Sequence, residues 1–475
     1  MNAIIVGSGP NGLAASIALA QAGWAVRVLE GQPTIGGGVR SAELTLPGFV
    51  HDRCSAIYPL AVGSPFFRTL PLPALGVEWI HSPFPLAHPF VDGTAAVLCR
   101  SVEETGAGLG LDESAYRSLM KPLVRHWEAL ADEFLQPLLH WPRHPMLMAR
   151  FGSLALRSAR DLALSRFQTK PARALFAGLA AHSFLELEAP ASAAYALMLA
   201  LFGHAVGWPL PRGGAQRLSD ALATHFRGLG GVVETGQQVT ALDDVSSGTD
   251  VTLLDTTVWQ AARLAGNRLP WSLGNRLQAF PHGPSVFKVD YALDEPIPWT
   301  AEQCHQAATV HLGNSLEEIA EAERDVAQGR VPDRPFVLLA QPTLFDPSRA
   351  PAGKHIAWAY CHVPRGCTID MTSAIEDQIE RFAPGFRRIV IGRHILRPSD
   401  LATSNANLSG GDITGGACDL WHMFARPTFS PAPYRLERRK LYLCSSSTPP
   451  GGGVHGMCGY RAAQTVLSDF QVRLE

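Results

Sequence analysis

Hydrophobic positions along this chain follow two different periods, and the changes from one to the other mark out its elements. A short apolar run at residues 3–6 gives way to a glycine-rich turn, an Ala- and Leu-rich helical pattern over 13–22, a stop at Gly23 and a second apolar run at 25–29 that ends on Glu30. Strand, helix and strand at that spacing predict a parallel βαβ unit. Residues 75–99 show short alternating strands separated by prolines and by Asp92-Gly93, the pattern of an antiparallel sheet. From 101 to about 210 the period turns helical, most clearly over 113–138 and again near 172–184 and 191–206, which predicts a helical insert. Its most apolar stretch, 189–206, is interrupted by Pro190, Gly203 and His204 and is expected to be a buried or groove-lining helix in place of a membrane span.

Glycine and proline at 207–214 mark a boundary, after which 215–228 reads as an amphipathic helix and 232–239 as a strand that rejoins the first unit, followed by Thr252-Leu253-Leu254-Asp255-Thr256-Thr257. Strands return at 285–293, 308–312, 336–341, 355–361 and 388–395, with helical patterns at 315–328 and 372–381. Near the end, residues 441–450 run into a glycine-rich turn at 451–459 and a last helix at 460–470.

Length and composition narrow the class. A chain of 475 residues exceeds one ordinary core, so two or three subdomains are expected. With 46% hydrophobic and 17% charged residues it is a packed globular chain and not a disordered one. Net charge is −2 with no basic cluster, which excludes nucleic acid as an expected partner. The eight cysteines are scattered without a Cys-x-x-Cys, so neither a disulfide framework, a dithiol redox pair nor a zinc site is indicated, and no metal is expected. The chain enters its first strand at once, leaving no room for a signal peptide, and a cytoplasmic protein is expected.

Chemistry is concentrated at the glycines. In Gly7-Ser8-Gly9-Pro10-Asn11-Gly12, Gly7 permits the tight turn, Gly9 the close approach of a pyrophosphate and Gly12 the packing of helix on strand. The helix N-terminus offers N–H groups and partial positive charge to phosphates, and Glu30, eighteen residues after Gly12, stands where a carboxylate accepts ribose hydroxyls. An ADP-containing dinucleotide follows, without a choice among them. Gly36-Gly37-Gly38-Val39-Arg40-Ser41 forms a flexible loop beside it, with Arg40 suited to a phosphate or a flavin carbonyl. Gly451-x-Gly453-x-x-Gly456 repeats the glycine spacing, but too little chain follows for a second nucleotide fold. It is expected to be a strand-to-helix turn whose amides face the far end of the same cofactor.

These segments, together with Cys54-Ser55-Ala56-Ile57-Tyr58-Pro59, Pro211-Arg212-Gly213-Gly214, Gly410-Gly411-Asp412-Ile413, Arg426-Pro427 and Tyr442-Leu443-Cys444, resemble the FAD-dependent phytoene desaturase-like flavoproteins, a group related to amine oxidases and retinol saturase, over nearly the whole chain. The resemblance implies FAD, with its adenine near Val239 and the turn of Gly452, Gly453, Val454 and Gly456 under the isoalloxazine. It implies an α/β fold, α+β overall, with a Rossmann-like FAD-binding domain at 1–74, 211–265 and 435–475. A discontinuous substrate domain with an antiparallel or mixed sheet takes 75–100 and 266–434, and the helical insert takes 101–210. The segment between Val239 and Leu253 is shorter than in carotenoid desaturases, so the resemblance does not extend to a carotenoid substrate.

Period-two alternation in residues 285–293 puts Val286, Lys288 and Asp290 on one strand face and Phe287, Val289 and Tyr291 on the other. A lysine in so apolar a strand needs a partner or water. The segment resembles the amine oxidase strand whose lysine holds a water at flavin N5, which makes Lys288 a catalytic candidate; a structural Lys288–Asp290 ion pair is the equal alternative. His455 in the glycine turn is a second catalytic candidate, able to transfer a proton or simply to hold the turn. Asp412 and Tyr58 are candidate substrate contacts, Asp412 being equally suited to cap a turn, and His51 and His422 are weaker ones. Three activities fit: FAD-dependent hydride transfer between N5 and a C–C bond of a lipophilic, isoprenoid-type substrate, as desaturase, saturase or isomerase; amine-oxidase-like C–N oxidation with oxygen as acceptor; or non-catalytic binding, as in the GDP-dissociation inhibitors. Intact Glu30, Arg40 and C-terminal glycines argue against the last. The expected partners are a small lipophilic molecule and, through it, a peripheral membrane surface.

Overall fold

The computed structural model describes residues 1–245 and 248–471. A six-stranded sheet runs, edge to edge, Arg435–Glu437, Leu441–Leu443, Val251–Leu254, Asn2–Val6, Ala25–Glu30 and Val232–Thr235. All its pairings are parallel except that of the Arg435–Glu437 edge. The first helix, Pro10–Gln21, is buried along most of its length because it lies between this sheet and the last helix, Met457–Asp469. The two helices nearly touch: a Cβ on Gly459 would stand 1.7 Å from the Asn11 carbonyl oxygen, so only glycine fits there.

The second sheet has seven strands in the order Val390–Leu396, Ser285–Leu293, His355–Val363, Val337–Ala340, Ala307–Leu312, Phe84–Pro89 and Ala95–Leu98. It is mixed, being antiparallel except where Ala307–Leu312 meets Phe84–Pro89. Alternation sorts its side chains. One face (Phe287, Val289, Tyr291, Leu339, Ala359) packs into a core with Ile375, Ile379 and Phe382 of the Thr372–Phe382 helix. The other presents Lys288, Trp358, Tyr360, Leu338 and Thr309 to a cavity.

Helices fill residues 102–205, and Ser192–Ala205 is the largely buried helix that the apolar run predicts. Among the described residues no helix is long and apolar enough to cross a membrane. Several boundaries differ from the periodicity, and three of them have a local cause. The 113–138 stretch breaks at Arg125 and His126 into Glu113–Val124 and Trp127–Phe134, with Pro122 already lacking an N–H in the first. The strand at 232 stops at Thr235 because Gly236, at φ +70°, turns the chain. The last helix begins at Met457, three residues early, because Gly456 at φ +68° takes the N-cap position.

Candidate functional site

A cavity of about 630 Å³ runs from the glycine turn past the Gly37–Arg40 loop to Lys288 and the aromatic residues Trp208, Trp358 and Tyr360. Gly7, Gly9, Pro10, Asn11, Glu30, Gly37, Gly38, Arg40, Tyr58, Val239, Lys288, Asp412, Gly453 and Val454 all line it. Gly12, Gly452, Gly456 and His455 do not.

At its first end the turn is held by backbone bonds. The Gly7 N–H donates to Leu29 O (2.8 Å) and the Gly36 N–H to Ser8 O (3.1 Å), which draws the second glycine loop against the first. Glu30 is fixed by donation from Ser8 N (2.9 Å), Ser8 Oγ (2.5 Å) and Gln32 N (2.9 Å), leaving carboxylate lone pairs toward the cavity. Gly12 packs where a Cβ would meet Gly7 O at 2.3 Å, the close helix-on-strand contact expected of it. Arg40, buried, donates from Nε to Gly37 O (2.7 Å), so it braces the loop as well as lining the site.

The sequence reading missed Asp255, the acid after the Val251–Leu254 strand. Its Oδ2 accepts from Gly12 N (3.0 Å) at the helix N-terminus, where a phosphate would also seek donors. Burial, and secondarily Glu30, push its pKa up to about 7 against the opposing bonds from Gly12 and Gly9. An acid raised above its unfolded value binds its proton in the folded chain and loses it in the unfolded one. Stability of the cofactor-free protein is therefore expected to fall as pH rises from about 4 to about 7 and then level off. Asp255→Asn should flatten that slope in urea midpoints measured across the range; an unchanged slope would exclude Asp255 as its source. The signal was an acid ending an apolar strand, as Glu30 does.

At the other end, Gly453 and Val454 reach the cavity alongside Gly415, Ser445 and Ser446. Buried Arg426 ties these loops together, donating to the carbonyls of Ser446 (2.9 Å), Ala417 (2.7 Å) and Thr414 (2.6 Å). His455 lies behind the turn. Its Nδ1 accepts from Met457 N (3.0 Å), its carbonyl accepts from Ser64 Oγ (2.7 Å), and burial lowers its pKa to about 4, so it is neutral. Gly456 caps the last helix, and its backbone passes so near Phe67 that a Cβ would lie 2.4 Å from the ring. Asp412 accepts from Gly283 N (2.9 Å) and from Thr414 N and Oγ1 (2.7 Å each), a turn cap whose residue also lines the cavity. Tyr58 donates to Ser55 O (2.8 Å). His422 pairs with Asp419 away from the cavity lining.

Lys288 is 3% exposed. Nζ donates to Asp290 Oδ1 (2.5 Å) and to Asp52 O (3.1 Å), lies 5.6 Å from the Trp358 ring centroid and belongs to a cavity-lining residue. Burial raises the Asp290 pKa, but Lys288, His394 and His51 outweigh it and hold the carboxyl below its ordinary value. His51 is lowered to about 4 by burial, so its 3.7 Å contact with Asp290 is not an ion pair. Asp52 anchors the bed beneath, accepting from Ser41 Oγ (2.7 Å) and Ala215 N (2.8 Å) and pairing with buried Arg349 (3.0 Å). Asp52, Arg349 and His394 escaped the sequence reading because nothing local links them to Lys288.

The residues present fit a dinucleotide: a glycine cradle that a Cβ would fill, a fixed ribose-side carboxylate and a second glycine turn at the far end of one cavity. The family described as NAD(P)-binding Rossmann-like domain matches residues 5–70. The chain is 26% identical to pyridine nucleotide-disulfide oxidoreductase domain-containing protein 2 of Rattus norvegicus, with 99% of this chain and 94% of that protein covered. It is 28% identical to phytoene dehydrogenase of Streptomyces griseus, with 76% and 72% covered. Cyclohexylamine oxidase from Brevibacterium oxydans shares the fold, at TM-score 0.60 and 17% identity over 99% of each chain. The chain is similar to oxidoreductases both in sequence and in fold. Within that class it is similar in sequence to a phytoene dehydrogenase and in fold to amine oxidases. Among the described residues Cys54 is the one cysteine lining the cavity.

Proposed function

We propose that the chain holds FAD along the cavity and transfers hydride between its N5 and a C–C bond of a lipophilic small molecule. The observation that carries this is the continuity of the cavity. The same space that begins at the phosphate turn ends among Ile57, Leu199, Trp208, Leu338, Trp358 and Tyr360, an apolar and aromatic wall. Bound flavin would supply the two-electron chemistry. The chain's part is to seat the nucleotide on the Gly7–Gly12 turn, accept ribose hydroxyls at Glu30, close the other side with Gly453 and Val454, and exclude water from the aromatic end. Lys288, paired with Asp290, is a cavity-lining group at that end that can hold a water. The eight free cysteines favour a reducing, cytoplasmic setting.

The second reading, C–N oxidation, is favoured by Lys288 beside Trp358 and by the amine oxidase fold. The readings separate with FAD-reconstituted protein under anaerobic conditions. Polyenes or saturated ketones are expected to bleach the oxidised flavin absorbance, or enones to restore it after reduction, while amines leave it unchanged. Bleaching by amines alone would overturn the C–C reading.

A further inference from the structure

Two polar atoms at the aromatic end of the cavity have no partner. Thr309 Oγ1 and Trp358 Nε1 sit in side chains of residues only 5% and 7% exposed, both residues line the cavity, and neither atom makes a hydrogen bond. A buried hydroxyl and a buried indole N–H left unpaired are costly, and such atoms are found where a ligand or a water meets them.

Sheet register brings them to the same space. Thr309 pairs with Ala340 and Ala340 with Trp358, so the three side chains stand abreast on one face with only a methyl group between the two polar ones. Ala340 and Ala56 pack with Trp358, keeping the neighbourhood small-sided. Asp290 is next in that row, and Lys288, two residues along the same strand, lies on the same face. The niche is therefore beside the ammonium that lines the cavity.

Chemistry selects what can fill it. Indole N–H only donates, and a threonine hydroxyl can donate as well. An ammonium is all donor and would face a donor at Trp358, and the carboxylate in that row, Asp290, is already paired with Lys288. A carbonyl oxygen accepts from both. His182, at the same end, contributes no charge: burial lowers its pKa to about 3, and its Nε2 is shared with His311 Nε2 at 3.0 Å.

We propose that the aromatic end of the cavity recognises a lipophilic ketone or enone, whose carbonyl oxygen accepts hydrogen bonds from Thr309 Oγ1 and Trp358 Nε1. The inference rests on reading this cavity as the substrate site of a flavoenzyme.

Binding to FAD-reconstituted protein, followed by flavin spectral perturbation and by calorimetry, tests it with four probes of one skeleton: cyclohexyl methyl ketone, the corresponding alcohol, ethylcyclohexane and the corresponding amine. The ketone is expected to bind about tenfold more tightly than ethylcyclohexane. Thr309→Val should remove about fivefold of that preference without changing the hydrocarbon's affinity, and Thr309→Ser should restore it. Trp358→Phe should reduce the ketone's affinity more than the hydrocarbon's. Equal affinities for ketone and hydrocarbon, no binding of any probe, or an amine that binds most tightly would overturn the proposal. So would a preference that survives both Thr309→Val and Trp358→Phe. Ketone preference without any redox response to polyenes, saturated ketones or enones would overturn the proposed reaction and leave this recognition standing. The redox response without the preference would do the reverse.

Discussion

Gly9→Val is expected to give a folded protein that no longer retains FAD. A Cβ at Gly9 would stand 2.5 Å from Asp255 Oδ2, in the space over the turn that a pyrophosphate has to enter. The backbone there, φ −64° and ψ 172°, is open to any residue, so the effect is steric and not conformational. The neighbouring glycine loop cannot yield, since a Cβ on Gly37 would already lie 3.0 Å from Gly9 Cα. Overpacking by itself costs about 1–3 kcal/mol of stability, and loss of the close phosphate approach weakens FAD binding. Flavin absorbance per protein after dialysis measures retention, and a urea transition shows that the chain still folds. Full retention of FAD by Gly9→Val would mean that this turn is not the phosphate cradle.

Lys288→Met carries the other large effect, and it acts on two properties. Removing the ammonium leaves Asp290 buried with only neutral His51 and the more exposed His394 near it. Breaking one side of a buried pair costs about 3–5 kcal/mol. Lys288→Met combined with Asp290→Asn should recover most of that loss, because no unpaired charge remains. Since Asp290 is held below its ordinary pKa, its contribution is present above the unfolded carboxylate value and is lost as pH falls through the folded one. The single variant should lose that acid-side dependence. FAD content should persist in both variants, while turnover or oxygen reoxidation should fall about a hundredfold if Lys288 serves proton transfer. Recovered stability with unrecovered turnover in the double variant would separate the two roles; recovery of both would make Lys288 purely structural.

How much of this was legible follows from how local each feature is. The strand, glycine turn, helix and second strand of the βαβ unit were legible because Gly7, Gly9, Gly12 and Glu30 lie in thirty consecutive residues whose spacing encodes their geometry. The two faces of residues 285–293 were read from alternation, and the structure keeps Lys288 and Asp290 on one side and Phe287, Val289 and Tyr291 in the opposite core. His455 shows the limit of such reading. Its place in a glycine turn suggested contact with the cofactor; in the structure Met457 N donates to Nδ1, Nε2 is buried without a partner, and the residue is not among those lining the cavity.

The sequence by itself determined the class of cofactor and the strand that carries the candidate lysine, because both depend on short-range spacing and side-chain period. Only the tertiary structure decided what surrounds them. Asp255 reaches the first helix from 243 residues away, and Asp52 reaches Lys288 from 236. Thr309 comes abreast of Trp358 only because the Val337–Ala340 strand is inserted between theirs. Strand order and register set those meetings, and a periodic pattern says which face a residue takes without saying which strand will lie beside it.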